Sequence, residues 1–312
     1  YNVGTDISLF DRRLNFTFDV YLKKTTDLVL DASRAPSTGT TSAKENIGEM
    51  ENKGLEFQVD GMLVQRNDFY WQVAATGSMN RNRILKINSA LKKANEDANK
   101  VDSKTPLAQY EEGESTSALK VVKSAGIDPA TGQEVFIKLN GERTFEYSAD
   151  DKFVIGDTEP KFRGTVSTNL FYKGFSLYLL GRYECGAYLY NTTRATKVEG
   201  ADPKKNADKR VFSSRWKNPG DIAFYKDIAD SEGWGTNPKH TDRFVEKENV
   251  FTLGTVNFGY EFRPNICSKI GVRNLRVGVN LTDIVRWSNV KIERGTTYLY
   301  SNGFEFTLST TF

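Results

Sequence analysis

The chain has 312 residues and a net charge of +3, a balance that gives no footprint of a nucleic-acid binder. Hydrophobic residues make up 38% and mean hydropathy is −0.53. No stretch approaches the roughly 18 consecutive apolar residues of a spanning helix, which excludes a helical membrane protein but not a β-barrel, whose strands are only half apolar. A single histidine, His240, with Cys185 and Cys267 leaves no His-rich or Cys/His metal site, and no cofactor is expected.

The chain opens at once with YNVGTDISLF, which reads as a strand, and shows no signal peptide at Tyr1. The segment is therefore expected to be the C-terminal piece of a longer polypeptide. From there, nine segments alternate apolar and polar residues at period 2. Val3, Thr5, Ile7 and Leu9 begin the series. Leu14, Phe16, Phe18, Val20 and Leu22 oppose Asn15, Thr17, Asp19 and Tyr21. Leu55, Phe57, Val59, Gly61 and Leu63 oppose Glu56, Gln58 and Asp60, and Phe69, Trp71, Val73 and Ala75 oppose Tyr70, Gln72 and Thr76. Phe162, Val166 and Leu170 oppose Arg163, Thr165, Ser167 and Asn169. Phe175, Leu177, Leu179 and Tyr183 oppose Ser176, Arg182 and Glu184. Val250, Val256, Phe258, Tyr260 and Phe262 are expected on one face opposite Thr255, Asn257 and Glu261. Leu275, Val277, Val279 and Leu281 oppose Arg276, Asn280 and Thr282. The last segment runs from Phe304 to Phe312, with Phe306 and Leu308 on its apolar side and Glu305 on its polar side.

Most of these runs reach about ten residues, the length a tilted strand needs to cross a bilayer, whereas globular strands average five or six. The connections alternate short and long. Asp11–Arg13, Gln65–Asp68 and Lys173–Gly174 are short, and Arg263–Arg273 is somewhat longer. Lys23–Asn52, Arg81–Pro160, Tyr190–Asn249 and Asp283–Asn302 are long and polar. A meander trimmed on one rim and elaborated on the other is the pattern of an outer-membrane barrel. Phe10, Phe69, Trp71, Tyr172, Phe175, Tyr260, Phe262 and Phe312 gather near the short-turn rim, where an interfacial girdle belongs. The expected fold is an all-β antiparallel transmembrane barrel segment of about nine strands.

Six ordered blocks carry a family resemblance: NIGEMENKGLEF (Asn46–Phe57), YEEGEST (Tyr110–Thr116), AGIDPATGQEVF (Ala125–Phe136), GDTEPKFRG (Gly156–Gly164), RWKNPGD (Arg215–Asp221) and ERGTTY (Glu293–Tyr298). The chain resembles the C-terminal part of SusC-type TonB-dependent outer-membrane transporters of Bacteroidetes. The resemblance implies a plugged 22-stranded barrel of which all of residues 1–312 supply the last nine strands. It implies a SusD-like lipoprotein lid and energy from the TonB complex through an N-terminal region absent from this sequence. It implies import of an oligosaccharide or peptide across the outer membrane. Phe304, Phe306, Leu308 and Phe312 would form the terminal signal by which such barrels are assembled. The rival readings are a soluble surface β-protein, such as an adhesin or glycan-binding module, and a passive porin.

Candidate lumen or plug contacts are Asp19, Glu56, Asp60, Arg163, Arg182, Glu184, Glu261, Arg276 and Glu305. Most are expected to satisfy one another or the plug. Aromatic faces beside hydrogen-bonding groups suit ligands or a lid, and Tyr188, Tyr190, Trp216, Trp234 and Trp287 lie in or near the long connections. Pro219 and Gly220 read as a loop tip, Gly132 as a turn, and Asn95–Asp102 as a solvated segment without calcium-loop spacing. Glu111 and Glu112 are a carboxylate pair in a charge run that reads as solvated. No nucleophile–base–acid set is visible, so catalysis is not expected. Cys185 and Cys267 fall at different heights along the barrel and are expected to be free thiols.

Overall fold

The computed structural model describes residues 1–33, 42–101, 103–202, 206, 208–228, 239–292 and 301–312. Nine strands form one antiparallel sheet: β1 (Asn2–Leu9), β2 (Leu14–Ser33), β3 (Ser42–Arg66), β4 (Phe69–Ile87), β9 (Phe162–Tyr172), β10 (Phe175–Tyr190), β11 (Val245–Glu261), β12 (Asn274–Ser288) and β13 (Gly303–Thr311). Each strand pairs with its neighbours in chain order, apart from the step from β4 to β9, and β1 and β13 are the two edges. These are the nine segments in which alternation is visible in the sequence.

Cross-strand register assigns the faces. Phe16 lies opposite Ile7 and Val59, Trp71 opposite Leu170, Leu177 opposite Phe258, and Val279 opposite Phe306. This apolar face is left uncovered: Phe304, Phe306 and Leu308 are each about two-thirds exposed or more. No helix among the described residues is long and apolar enough to cross a membrane; strands with one apolar and one polar face are the elements that can cross one, as parts of a closed barrel. Aromatic contacts line its short-turn end, Phe69 meeting Tyr172 edge-on at 5.7 Å and Phe175 meeting Tyr260 at 4.5 Å.

The turns follow from local chemistry. β9 and β10 are joined by Lys173 and Gly174, both at positive φ (48° and 94°), the two-residue geometry that matches strand twist. Two bulges move side chains across the sheet. Between Met62 and Val64 the register slips, so Val64 rather than Leu63 faces Trp71. Between Leu253 and Thr255 a second slip places Val250 opposite Glu184 and gives the apolar position to Phe251. The expected apolar positions of Leu63 and Val250 are corrected accordingly, because a bulge shifts alternation by one residue.

The long connections are not simply polar loops. β2 and β3 extend through most of Lys23–Asn52, and at ~3.3 Å per residue the 25-residue β3 runs roughly 80 Å, against a hydrocarbon core of about 30 Å. Arg81–Pro160 holds the end of β4, then helix α1 (Ser89–Lys100), and strands β5 (Ala118–Ile127), β6 (Glu134–Ile137), β7 (Arg143–Thr144) and β8 (Lys152–Asp157). These four strands make a second sheet in the order β7-β6-β5-β8. Within Asn95–Asp102, read from sequence as a solvated segment, Asn95–Lys100 is the end of helix α1. It is started by Asn88, whose side chain accepts the Leu91 N–H at 2.9 Å, and pinned by reciprocal bonds between the Asn95 amide and the Tyr110 backbone.

This outer subdomain has its own core. Val121 and Val122 of β5 are fully buried, as are Ala195, Val198 and Phe244 from the connection between β10 and β11. The short-turn rim carries one further element, α2 (Pro264–Lys269), whose Cys267 is buried against the Phe262 carbonyl. Both cysteines are free thiols.

Candidate functional site: the polar wall and an outer cavity

All nine charged positions assigned to the lumen fall on the face opposite the apolar one. Asp19, Glu56, Ser78, Arg163 and Glu184 form one row, each directly opposite the next across β2, β3, β4, β9 and β10. Asp60 lies in a row nearer the short turns and accepts the Asn15 amide at 3.0 Å. Arg182 reaches Asp283 at 3.5 Å, Glu261 faces Arg276, and Glu305 faces Asn280. The Arg276 guanidinium donates to Ser176 at 3.4 Å. In a closed barrel such a face must be hydrated or covered by polar partners, since lipid offers none.

Above the charged row, the wall carries an amide ladder. Tyr21 donates to the Asn80 side chain at 3.2 Å, and both Asn80 (3.2 Å) and Asn82 (2.9 Å) donate to Asn52 Oδ1. Asn82 in turn accepts the Thr116 N–H at 2.9 Å, tying the wall to the outer subdomain. Between ladder and subdomain lies an open cavity of about 990 Å3. Its walls include Tyr21, Asn52, Asn80, Ser117, Arg163 and Tyr188. Amides, hydroxyls and two tyrosine rings share the lining with charges of both signs, Lys53, Arg81, Lys161 and Arg163 against Asp157 and Glu159, a mixture that suits a solute rich in hydroxyl or amide groups.

The candidate aromatic contacts divide. Tyr188 and Tyr190 belong to β10 and Trp287 to β12, so none of the three is a loop residue. Tyr188 packs over Gly156 at the cavity edge. Trp287 stacks on Phe251 at 5.7 Å on the apolar face, where it belongs to an outer girdle and not to the lumen. Trp216 is only 8% exposed; its indole N–H donates to the Pro129 carbonyl at 2.8 Å. Tyr190 meets His240 and Phe244 edge-on within the outer core. These positions bury the ring faces that a ligand would need. Trp234 and the Glu293–Tyr298 block lie outside the described residues. Phe304, Phe306 and Leu308 stand on the exposed apolar face of β13, and Phe312 follows it.

Sequence reasoning missed a set of buried charges. Arg243 donates from Nε and Nη2 to both oxygens of Glu134 at 2.6 Å, and from Nη1 and Nη2 to Glu199 at 2.8 Å. Nη1 also donates to the Phe224 carbonyl at 2.6 Å, so every guanidinium N–H is used. Burial opposes the Arg243 charge, but the two carboxylates outweigh it and hold the group firmly protonated. Arg215 is buried too and donates to the carbonyls of Val211, Lys226, Val198 and Glu199. Lys120, 5% exposed, pairs with Glu111 at 2.6 Å and Glu114 at 2.7 Å. Glu112 accepts the Ile87 N–H at 3.1 Å, so Glu111 and Glu112, both exposed to solvent as the sequence suggests, each also hold a structural contact. Burial pushes the Tyr147 hydroxyl up to about 12, and His240, itself buried, bonds the Ser103 carbonyl at 3.1 Å. The available signal was in the blocks themselves: Glu134 sits in AGIDPATGQEVF, Arg215 in RWKNPGD, and Glu111 and Glu114 in YEEGEST.

A family model described as TonB dependent receptor-like, beta-barrel matches residues 1–183. The chain belongs to this family of TonB-dependent receptor β-barrels. TonB-dependent receptor P3 of Formosa agariphila is 26% identical over 303 residues, covering 92% of this chain and 29% of that protein. TonB-dependent receptor SusC of Bacteroides thetaiotaomicron is 32% identical over 89 residues, 28% of this chain and 9% of its own. Among solved structures, the RagAB peptide importer in its open-open state superposes with a TM-score of 0.77 at 20% identity, over 100% of this chain and 34% of that one. The RagAB peptide transporter gives 0.74 at 21% identity, over 93% and 31%. The chain thus spans less than a third of the length of the curated receptors it matches along most of its own. The TonB-dependent receptor barrel is an outer-membrane fold, which accounts for the uncovered apolar face, and the family is one of receptors and transporters, not enzymes.

Proposed function

We propose that this segment is the C-terminal part of the wall of a SusC-like, TonB-dependent importer that carries an oligosaccharide or peptide across the outer membrane. A SusD-like lipoprotein would close the outer opening. A plug elsewhere in the protein would face the charged row of Asp19, Glu56, Arg163 and Glu184, and would couple to TonB. The observation that carries the reading is the two-faced nine-strand meander with an amide-lined cavity at its outer end. RagAB, a peptide transporter by name, supports peptide cargo, and oligosaccharide stays open as the other cargo that the SusC-type resemblance implies. The uncovered apolar face counts against a soluble binding module.

The test is uptake. Cells lacking the full-length receptor are given labelled oligosaccharides and oligopeptides as separate nutrient pools, with and without the inner-membrane energy source. Energy-dependent accumulation that returns only with the receptor gene supports import. Equal uptake with and without the receptor for every pool would discard it. Co-purification of a surface lipoprotein with the tagged receptor tests the lid.

A further inference from the structure

The four short connections concentrate positive charge. Residues 10–13, 67–68, 173–174 and 262–273 hold six cations, Arg12, Arg13, Lys173, Arg263, Lys269 and Arg273, against Asp11 and Asp68. That net of +4 exceeds the +3 of the whole chain, so everything outside these turns is slightly acidic. All six cations are exposed, and among the described residues none is in an ion pair.

Two of them, Lys173 and Arg273, lie on the lipid side of the rim, together with Arg66 at the end of β3. The Lys173 ammonium sits 5.3 Å from the ring centre of Tyr172, a residue of the apolar face. Arg66 ends β3 opposite Phe69 on that same face, and Arg273 has the parity of Leu275. α2 adds an amphipathic turn. Its Cys267 is buried, while Ile266, Lys269 and Ile270 recur at i, i+3 and i+4 and are exposed. Apolar side chains beside cations, at the level of an aromatic girdle, are the make-up of a surface that lies in a headgroup layer. A collar of cations needs no such apolar neighbours if it only meets water.

We propose that this rim is a binding collar for anionic phospholipid headgroups in the leaflet on the short-turn side of the membrane. Lys173, Lys269, Arg66 and Arg273 meet the phosphates, and Ile266 and Ile270 enter the acyl boundary. The inference rests on the membrane placement of the sheet and not on any cargo. Each cation near an anionic lipid surface strengthens attachment about fivefold, and the effect is screened by salt.

The experiment uses the full-length receptor, purified and returned to nanodiscs of phosphatidylethanolamine with about one part in five phosphatidylglycerol. Lipid retained after a mild detergent wash is counted by native mass spectrometry. The wild type is expected to enrich phosphatidylglycerol several-fold over its bulk share, with the enrichment falling as salt rises. The variant Arg66→Gln/Lys173→Gln/Lys269→Gln/Arg273→Gln should retain phosphatidylglycerol at no more than its bulk share. A control variant, Lys138→Gln/Lys217→Gln in the outer subdomain, should retain wild-type amounts. Should the quadruple variant fold poorly, the salt series on the wild type alone decides. Retention of phosphatidylglycerol at its bulk share, or equal losses in the rim and control variants, overturns the collar. A receptor that imports none of the tested nutrients can still pass this test, so the two readings fail separately.

Discussion

The Trp216 ring lies flat against Gly132, so close that a Cβ on Gly132 would stand 2.5 Å from the indole Cε3. Gly132 also holds φ at +73°, and Trp216 and Gly220 both donate to the Pro129 carbonyl at 2.8 Å. Two distant blocks, AGIDPATGQEVF and RWKNPGD, are thereby fitted to one another. Gly132→Ala adds a left-handed alanine and a clash with a buried ring, and is expected to cost about 2 kcal/mol or more. Hydrogen exchange of the full-length receptor should show faster exchange over residues 118–137 and 211–225 and unchanged protection in β9 and β12. Unchanged exchange across both blocks would count against the lock.

Arg243→Met strands two carboxylates, Glu134 and Glu199, each about 6% exposed. Loss of one partner from such a buried set costs about 3–5 kcal/mol. The outer subdomain should then open at lower denaturant than the barrel wall, read as protease cutting within residues 103–157. Adding Glu134→Gln and Glu199→Gln to Arg243→Met should recover much of the loss, because no uncompensated charge is left. A single variant as resistant as wild type would mean the trio is not under load.

Burial raises the Asp242 carboxyl above its ordinary range, although the Ser124 N–H donates to it at 2.9 Å. A carboxyl raised in the folded state takes up its proton there first. Its ionised form therefore costs stability at neutral pH, and that cost fades as pH falls through the folded value toward the unfolded value of about 4. Asp242→Asn keeps the acceptor and removes the charge. It should raise the melting temperature at pH 7.5 and leave it unchanged near pH 4. A gain that is the same at both pH values would assign it to packing.

Val279 faces Phe258 and Phe306 on the apolar side, while its neighbour Asn280 faces Glu305 on the polar side. Val279→Arg puts a cation at mid-wall depth and should cost about 2–4 kcal/mol of barrel stability. Asn280→Arg, beside Glu305, should be tolerated. The heat-resistant folded band of the full-length receptor in SDS gels separates the two. Equal loss in both variants would mean the faces are assigned the wrong way round.

The wall was legible in the sequence because alternation is a local property: Leu14 to Leu22 or Leu275 to Leu281 declare two faces without reference to any other strand. The two failures within it, Leu63 at a bulge and Val250 beyond one, arise because a bulge shifts parity by one residue and leaves no mark in composition. The outer subdomain was far less legible. Its sheet is built from strands as short as Arg143–Thr144, and its stability comes from side chains a hundred residues apart, such as Glu134 and Arg243. Polar residues that read as solvated, including Glu111, Glu112 and Asn95, are engaged with Lys120, the Ile87 N–H and the Tyr110 backbone. Trp216 and Tyr190 were singled out for their rings, and burial was the property that sequence could not show.

The fit between the two large connections has an evolutionary corollary. Arg243 and Trp216 come from one connection, and Glu134, Gly132 and Pro129 from the other. A gene conversion or graft that exchanges only residues 103–157 for those of another receptor would take from Arg243 one of its two carboxylates, Glu134, and leave an unseated indole. Diversification on this side of the barrel therefore has to proceed by paired replacement, with both connections inherited as one cassette. Single-connection chimeras should fail to fold their outer part, whereas two-connection chimeras carry a complete new outer face onto an unchanged wall.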